Sequence, residues 1–432
     1  MSQAEQQTKG SATRALLAQS VTFQFASEDY AFRRILYLHI KANTYYSNEA
    51  GTIQVYYDNE FTNFALVFSE NGYLKEAENL MIEVMEMRKR LLGAEHLDTL
   101  TSMANLATTY RQQGRWNEAE KLEVDVMELR KRLLGAEQPD TLTSMGNLAI
   151  TYKQQGRWNE AEKLEVDVMK LMKRLLGAEH PHTLISMANL AATYRQQGRW
   201  NEAEKLEVDV MDIRKRLLGT EHSDTLESMA NLAITYKEQR RWNEAEKLDV
   251  NVMELRKRLL GAEHPNTLTS MSNLAVTYRL QGRWDEAEKL EVDVMQLSKR
   301  LLGADHPHTL TSIGNLAATY RLQGRWNEAE KMEVYVMELS KNLLGAEHPD
   351  TLTHMANLAA TYSYQGRWNE AEKLEVDVME LSKRLLGAKH PDTLTSMANL
   401  ATTYRQQGRW NEAEKLDVDV MELSMKLNIL AP

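Results

Sequence analysis

Apolar residues recur along this chain with two nested periods. The shorter one is helical. Leu100, Met103, Leu106, Ala107 and Tyr110 stand at spacings of three and four, which marks one face of a helix. A second stripe follows in Ala119, Leu122, Val126, Met127, Leu129 and Leu133. Gly114 separates the two, and Gly135 follows the second. Glycine tolerates the left-handed turn that ends a helix. Asp98 is placed to cap the first helix and Asn117 the second. Lys131 and Arg132 fall in the last turn of the second helix, where the helix dipole favours cations. The linker AEQPD, AEHPD in most copies, carries a proline that stops further helix.

The longer period is 42 residues. All eight tryptophans lie on one comb, from Trp116, Trp158 and Trp200 to Trp410, and Tyr110, Tyr152 and Tyr194 begin a second comb with the same step. Eight near-identical units fill 99–432. A worn unit occupies 57–98, with Asn63, Ala65, Phe68, Gly72 and Glu76 one step before Asn105, Ala107, Tyr110, Gly114 and Glu118. Residues 14–56 read as a helical cap or degenerate repeat, with 29–48 its helix, and 1–13 as a disordered start. One hairpin of this size cannot bury both apolar faces, so the units must stack. The expected fold is all-α: a right-handed superhelical solenoid of antiparallel helix pairs. The tryptophans are expected to pack between hairpins at the corners, and Met103 and Met127 to fill the core.

The order Leu106, Ala107, Tyr110, Gly114, Ala119, Pro139 resembles the tetratricopeptide repeat (TPR). The long unit, with NLA, then Tyr, then GRW and EAE, then LLG and EHP, resembles the kinesin-light-chain subtype. It also resembles the TPR tails of fungal proteins, some of which carry NB-ARC or NACHT nucleotide-binding domains. Two recurrent departures belong to the subtype: Glu123 where the general pattern prefers an aromatic residue, and Val126 for alanine. Arg240 replaces the corner glycine of the other units, which predicts a strained turn there.

The resemblance implies a concave surface lined by the first helices, where an extended segment of a partner binds. It places Thr101, Ala104, Asn105, Thr108, Arg111 and Gln112 there. One row down the array is Asn105, Asn147, Asn189, Asn231, Asn273, Asn315, Asn357 and Asn399. Each amide offers both donor and acceptor, so the row either pins a peptide backbone or bonds neighbouring helices. The next row is Arg111, Lys153, Arg195, Lys237, Arg279, Arg321, Ser363 and Arg405. These cations either draw an acidic guest or are neutralised by glutamates of adjacent helices. At the position of Gln112, later units carry Leu280, Leu322 and Tyr364, an apolar stretch suited to an amphipathic guest.

Composition narrows the classes. The net charge of -10 argues against sequence-independent nucleic-acid binding. Cysteine is absent, which removes thiol chemistry, disulfides and Cys-ligated zinc. No segment approaches the roughly 20 apolar residues that span a bilayer, and the polar start lacks the apolar core of a signal peptide. These features point to a cytoplasmic protein that does not act on membranes. His96, His180, His222, His264, His306, His348 and His390 repeat in the linkers, too far apart to share a metal. No P-loop, nucleophile motif or isolated acid–base pair is found, so neither cofactor nor catalysis is expected. The expected function is a non-catalytic protein-binding scaffold or adaptor. Alternatives are the sensor tail of an NB-ARC/NACHT-type ATPase and a kinesin-light-chain-like cargo adaptor. The apolar end MELSMKLNILAP, with Met425, Ile429 and Leu430, suggests self-association through the last helix.

Overall fold

From Leu97 on, seven of the eight first helices begin at a linker histidine, and Gln138 stands in that place before the other. In the first unit His96 is extended, and its Nδ1 accepts the backbone N–H of Asp98 at 3.2 Å. The same ring cap recurs at His180, His222, His264, His306, His348 and His390. The aspartate was expected to be the cap; it stands instead in the first turn, because the helix starts at Leu97. Six of the eight helices carry proline at this start, where its missing N–H costs nothing. The helix Leu97–Gln112 stops at Gly114, whose φ is +72°. Arg115 N–H then bonds Tyr110 C=O at 2.9 Å, closing a Schellman turn. Arg240 takes the same left-handed turn at φ +59°.

A computed structural model of the chain describes residues 36, 39–41 and 58–428. Among these there is no strand, and from Asp58 to Asn428 the chain is nine helix pairs, one per unit. The second helix starts at Trp116, one residue earlier than expected. Asn117 does not cap it, since the flanking residue is Arg115 and no side chain accepts there. The expected cap over 29–48 lies mostly outside the described residues. Leu36 and Ile40 are described, and they are buried against Phe61, Phe64 and Phe68 of the worn unit.

Each helix packs on the one before and the one after it. Ala107 and Ala119 are fully buried and let the backbones approach, with Leu100, Leu106 and Val126 filling the space around them. Leu133 was expected in this core but is exposed; Glu123 and Arg130 are buried instead. Successive first helices also touch: Pro307–Leu322 meets Pro349–Tyr364, and Ser223–Glu238 meets Pro265–Leu280. No pair of second helices packs as closely, so the first helices take the inner, shorter radius of the curve.

The curve closes on itself. His306 Nε2 lies 2.8 Å from Glu70 C=O, His348 Nε2 2.8 Å from Gln112 C=O and His390 Nε2 3.0 Å from Gln154 C=O. Each contact spans 236 residues. Since Nδ1 accepts the capping N–H, Nε2 carries the proton and donates. These carbonyls end the first helices and have no partner within them. Successive turns of the solenoid thus touch, the corner edge of one turn meeting the linker edge of the next. A cleft of about 1250 Å³ lies along this seam, lined by Trp116, Trp158, Leu385, Leu386 and His390 among others.

Candidate functional site

The basic row stands at the ends of the first helices, and it is occupied. Arg111 pairs with Glu123 at 3.1 Å, Lys153 with Glu165 at 2.9 Å, Arg195 with Glu207 at 2.7 Å and Lys237 with Asp249 at 3.0 Å. Arg279 stands 3.7 Å from Glu291, and Arg321 is 2.8 Å from Glu333. These six cations are only 8–17% exposed. Their other donors reach the next unit: Arg111 to Asn147 C=O, Lys237 to Asn273 C=O, Arg279 to Asn315 C=O and Arg321 to Asn357 C=O, at 3.1–3.2 Å. Arg405 pairs with Asp417 near the surface.

Five of these six carboxylates are also tied across units. Thr151 hydroxyl donates to Glu123 at 2.5 Å, and Thr277 hydroxyl to Asp249 at 2.6 Å. So Glu123, the departure seen in sequence, joins the cation of its own unit to the threonine of the next. Burial pushes the carboxyls of Glu123 and Glu165 up, and those of Glu207, Glu291 and Glu333 up to about 7, while the threonine hydroxyl and the neighbouring cation hold them down. Of the two readings of the row, these pairs support neutralisation by acidic residues of adjacent helices. A charge buried in a pair with a carboxylate projects little potential outward.

Ser363 breaks the row. Glu375 is buried like its counterparts, its Oε2 has no hydrogen-bond partner, and burial pushes its carboxyl up.

The asparagine row is different. Asn105, Asn147, Asn189, Asn231, Asn273, Asn315 and Asn357 are half-buried and Asn399 is exposed. Among the described residues, none of their side-chain amides hydrogen-bonds to another residue; only their backbone carbonyls are used, as for Asn147 and Asn273. The row lies on the first helices, which line the inner radius.

Leu280, Leu322 and Tyr364 end three successive first helices and are exposed. They stand on the rim between the inner surface and the corner edge, where Gln112 and Gln154 offer their carbonyls to the next turn.

The corners hold a network that sequence showed only as the words GRW and NEAE. In all eight units the arginine before tryptophan stacks on its own tyrosine, 3.7–4.2 Å from the ring centre. It bridges to a glutamate of the preceding unit at 2.6–2.8 Å. The tryptophans stand on this surface rather than deep between hairpins: Trp200, Trp284, Trp326 and Trp410 are exposed, and Trp116 stacks on His390 of the next turn. Among the described residues, no three His, Asp or Glu gather as metal ligands. No helix there is long and apolar enough to cross a membrane.

Comparison with curated proteins finds no match. Among solved structures, nearly identical TPR-like repeats from a Podosopora anserina protein assigned to the kinesin light chains share 32% identity. That match covers 46% of this chain and 95% of the other, with a TM-score of 0.41. A Rap protein complexed with Competence and Sporulation Factor shows the same fold at 11% identity, covering 86% of this chain and 98% of its own, TM-score 0.56. The apo quorum sensor NprR of B. thuringiensis does so at 17% identity, covering 84% and 97%, TM-score 0.52. Family models described as tetratricopeptide repeat match residues 61–98, 99–140, 141–182, 183–224, 309–350 and 351–392, and a second set 224–294 and 376–426. The chain belongs to the tetratricopeptide repeat family.

Proposed function

We propose that this protein is a non-catalytic scaffold that grips an extended segment of a partner protein along the inner face of the solenoid. The observation that carries this reading is the asparagine row. Eight amides at one position per unit leave their hydrogen-bonding groups to something other than the array. An extended backbone offers a matching sequence of N–H and C=O groups. Because the basic row is spent on buried carboxylates, the guest is selected by backbone contact. Acidic charge on the guest contributes little. The Rap protein of the same fold was crystallised with a factor bound, which agrees with a solenoid of this shape enclosing a guest. Sensor-tail and cargo-adaptor readings attach different modules to the array and use this same surface. The exposed face of the last helix, with Val418 and Met421, offers a place for self-association.

The test is a displayed library of random peptides panned against the whole chain. Selected peptides should lose at least tenfold in affinity on the triple change Asn189→Ala, Asn231→Ala and Asn273→Ala, at about 0.5–1.5 kcal/mol per lost bond. Helical content should not change. Unaltered affinity in the triple variant would refute the reading.

A further inference from the structure

The seam between turns is built from parts that most units carry, the exceptions being Gln138 for histidine, Leu97 and Ser223 for proline and Arg240 for the corner glycine. On the linker edge they are the capping histidine, the proline after it and the leucine pair before the glycine. On the corner edge they are the terminal carbonyl of the first helix, the corner glycine and the tryptophan. His306, His348 and His390 use their side of this contact, and Glu70, Gln112 and Gln154 use the other. Glycine is required at the corner for a second reason besides its turn. A Cβ on Gly156 would come within 2.8 Å of Pro391 Cδ, and one on Gly72 within 3.0 Å of Pro307.

The same parts recur without a facing turn. Among the described residues, His96, His180 and His222 meet no carbonyl of another turn. Leu175, Leu176, Leu217 and Leu218 on this edge are 41–47% exposed, while Leu385 and Leu386, at the seam, are partly covered. At the other end, Leu280, Leu322 and Tyr364 are 41–55% exposed, and a Cβ on Gly282, Gly324 or Gly366 would meet nothing within 4 Å. The chain thus presents a linker edge and a corner edge that meet once inside it, at Glu70, Gln112 and Gln154, and that are apolar at the positions facing no other turn. A contiguous apolar edge of this kind marks a binding surface.

We infer that a second copy of this chain docks its linker edge, at His180 and His222, on the corner edge of the first at Leu280, Leu322 and Tyr364. The contact continues the internal seam between molecules. Histidine Nε2–H donates to the terminal carbonyls, and Pro181 seats on a corner glycine, while Ser223 takes the corresponding place after His222. Because the two faces differ, the association is head-to-tail and does not close as a dimer. Arg240 marks where the docking stops. A Cβ at this turn would meet a docked proline as one on Gly156 would meet Pro391, so the copy sits on the units after it. This inference is independent of the asparagine row.

Two variants test it. Gly324→Arg with Gly366→Arg blocks the corner edge, and Arg240 shows that the turn accommodates arginine. Leu175→Glu with Leu217→Glu charges the linker edge at exposed positions. Sedimentation velocity of the parent chain should show mass growing with concentration beyond a dimer. Each variant alone should remain a monomer. An equimolar mixture of the two should form dimers and stop there, since each supplies the one edge the other lacks; this also shows that both are folded. A parent chain that stays monomeric at millimolar concentration would overturn the inference. So would association that survives in either variant, or that is abolished by changing Val418 and Met421 of the last helix instead.

Discussion

The Nε2–H of His348 donates to the backbone carbonyl of Gln112, 2.8 Å away across 236 residues. The other nitrogen of the same ring caps the helix beginning at Pro349 by accepting Asp350 N–H at 3.2 Å. One side chain thus starts a helix in one turn and finishes a helix in the turn beside it. His222 makes the cap alone. His348→Ala should therefore lower stability more than His222→Ala, by about 0.5–1.5 kcal/mol for the additional bond. Urea unfolding of the two variants measures the difference. Equal losses would mean that the seam between turns adds nothing.

The buried carboxyls make stability depend on pH. Unfolded glutamates ionise near 4.5, whereas Glu207, Glu291 and Glu333 hold their protons to about 7 in the fold. Between those values the folded chain binds more protons than the unfolded one, so stability falls as pH rises from 4.5 to 7. Each carboxyl contributes on the order of 1–3 kcal/mol to that slope. Unfolding midpoints at pH 5, 6, 7 and 8 should show the decline in the parent chain. In the triple variant Glu207→Gln, Glu291→Gln, Glu333→Gln the decline should be much shallower.

Ser363→Arg should stabilise the array by about 1 kcal/mol, because Glu375 is buried without the cation its counterparts have. The reverse change, Arg195→Ser, strips Glu207 of its partner and should cost about 3–5 kcal/mol. Calorimetric melting of both variants checks the pair of signs.

Arg240→Gly removes the one left-handed non-glycine residue among those described. It should raise stability by about 1 kcal/mol, the cost of that conformation for a residue with a Cβ. A melting temperature at or below the parent's would show that the Arg240 side chain compensates for its backbone.

Much of the fold was legible in sequence because it is local. The spacing of Leu100, Leu106 and Ala107 gave the first helix, and Gly114 gave its end. Both cap positions lie two residues before the aspartate and asparagine expected from sequence, because the His96 ring accepts the Asp98 N–H and the second helix follows Arg115 with no side-chain cap. The pairing of Arg111 with Glu123 lies 12 residues apart in one unit, and sequence had offered it as one of two readings. Its extension to Thr151 needed the neighbouring unit in place. The seam could not be read at all. It depends on the small rotation between units, summed over six of them, and no single residue encodes that sum. The repeated linker histidines and corner glycines were its only trace.

The central claim is that the asparagines face a guest while the cations beside them serve the array. Side-chain NMR on the chain with 15N-labelled asparagine and arginine, titrated with a library-selected peptide, tests it most directly. The amide signals of the row from Asn105 to Asn399 should shift on binding, and the guanidinium signals of Arg111, Arg195, Arg279 and Arg321 should stay in place. Moving guanidinium signals over a still asparagine row would contradict the account.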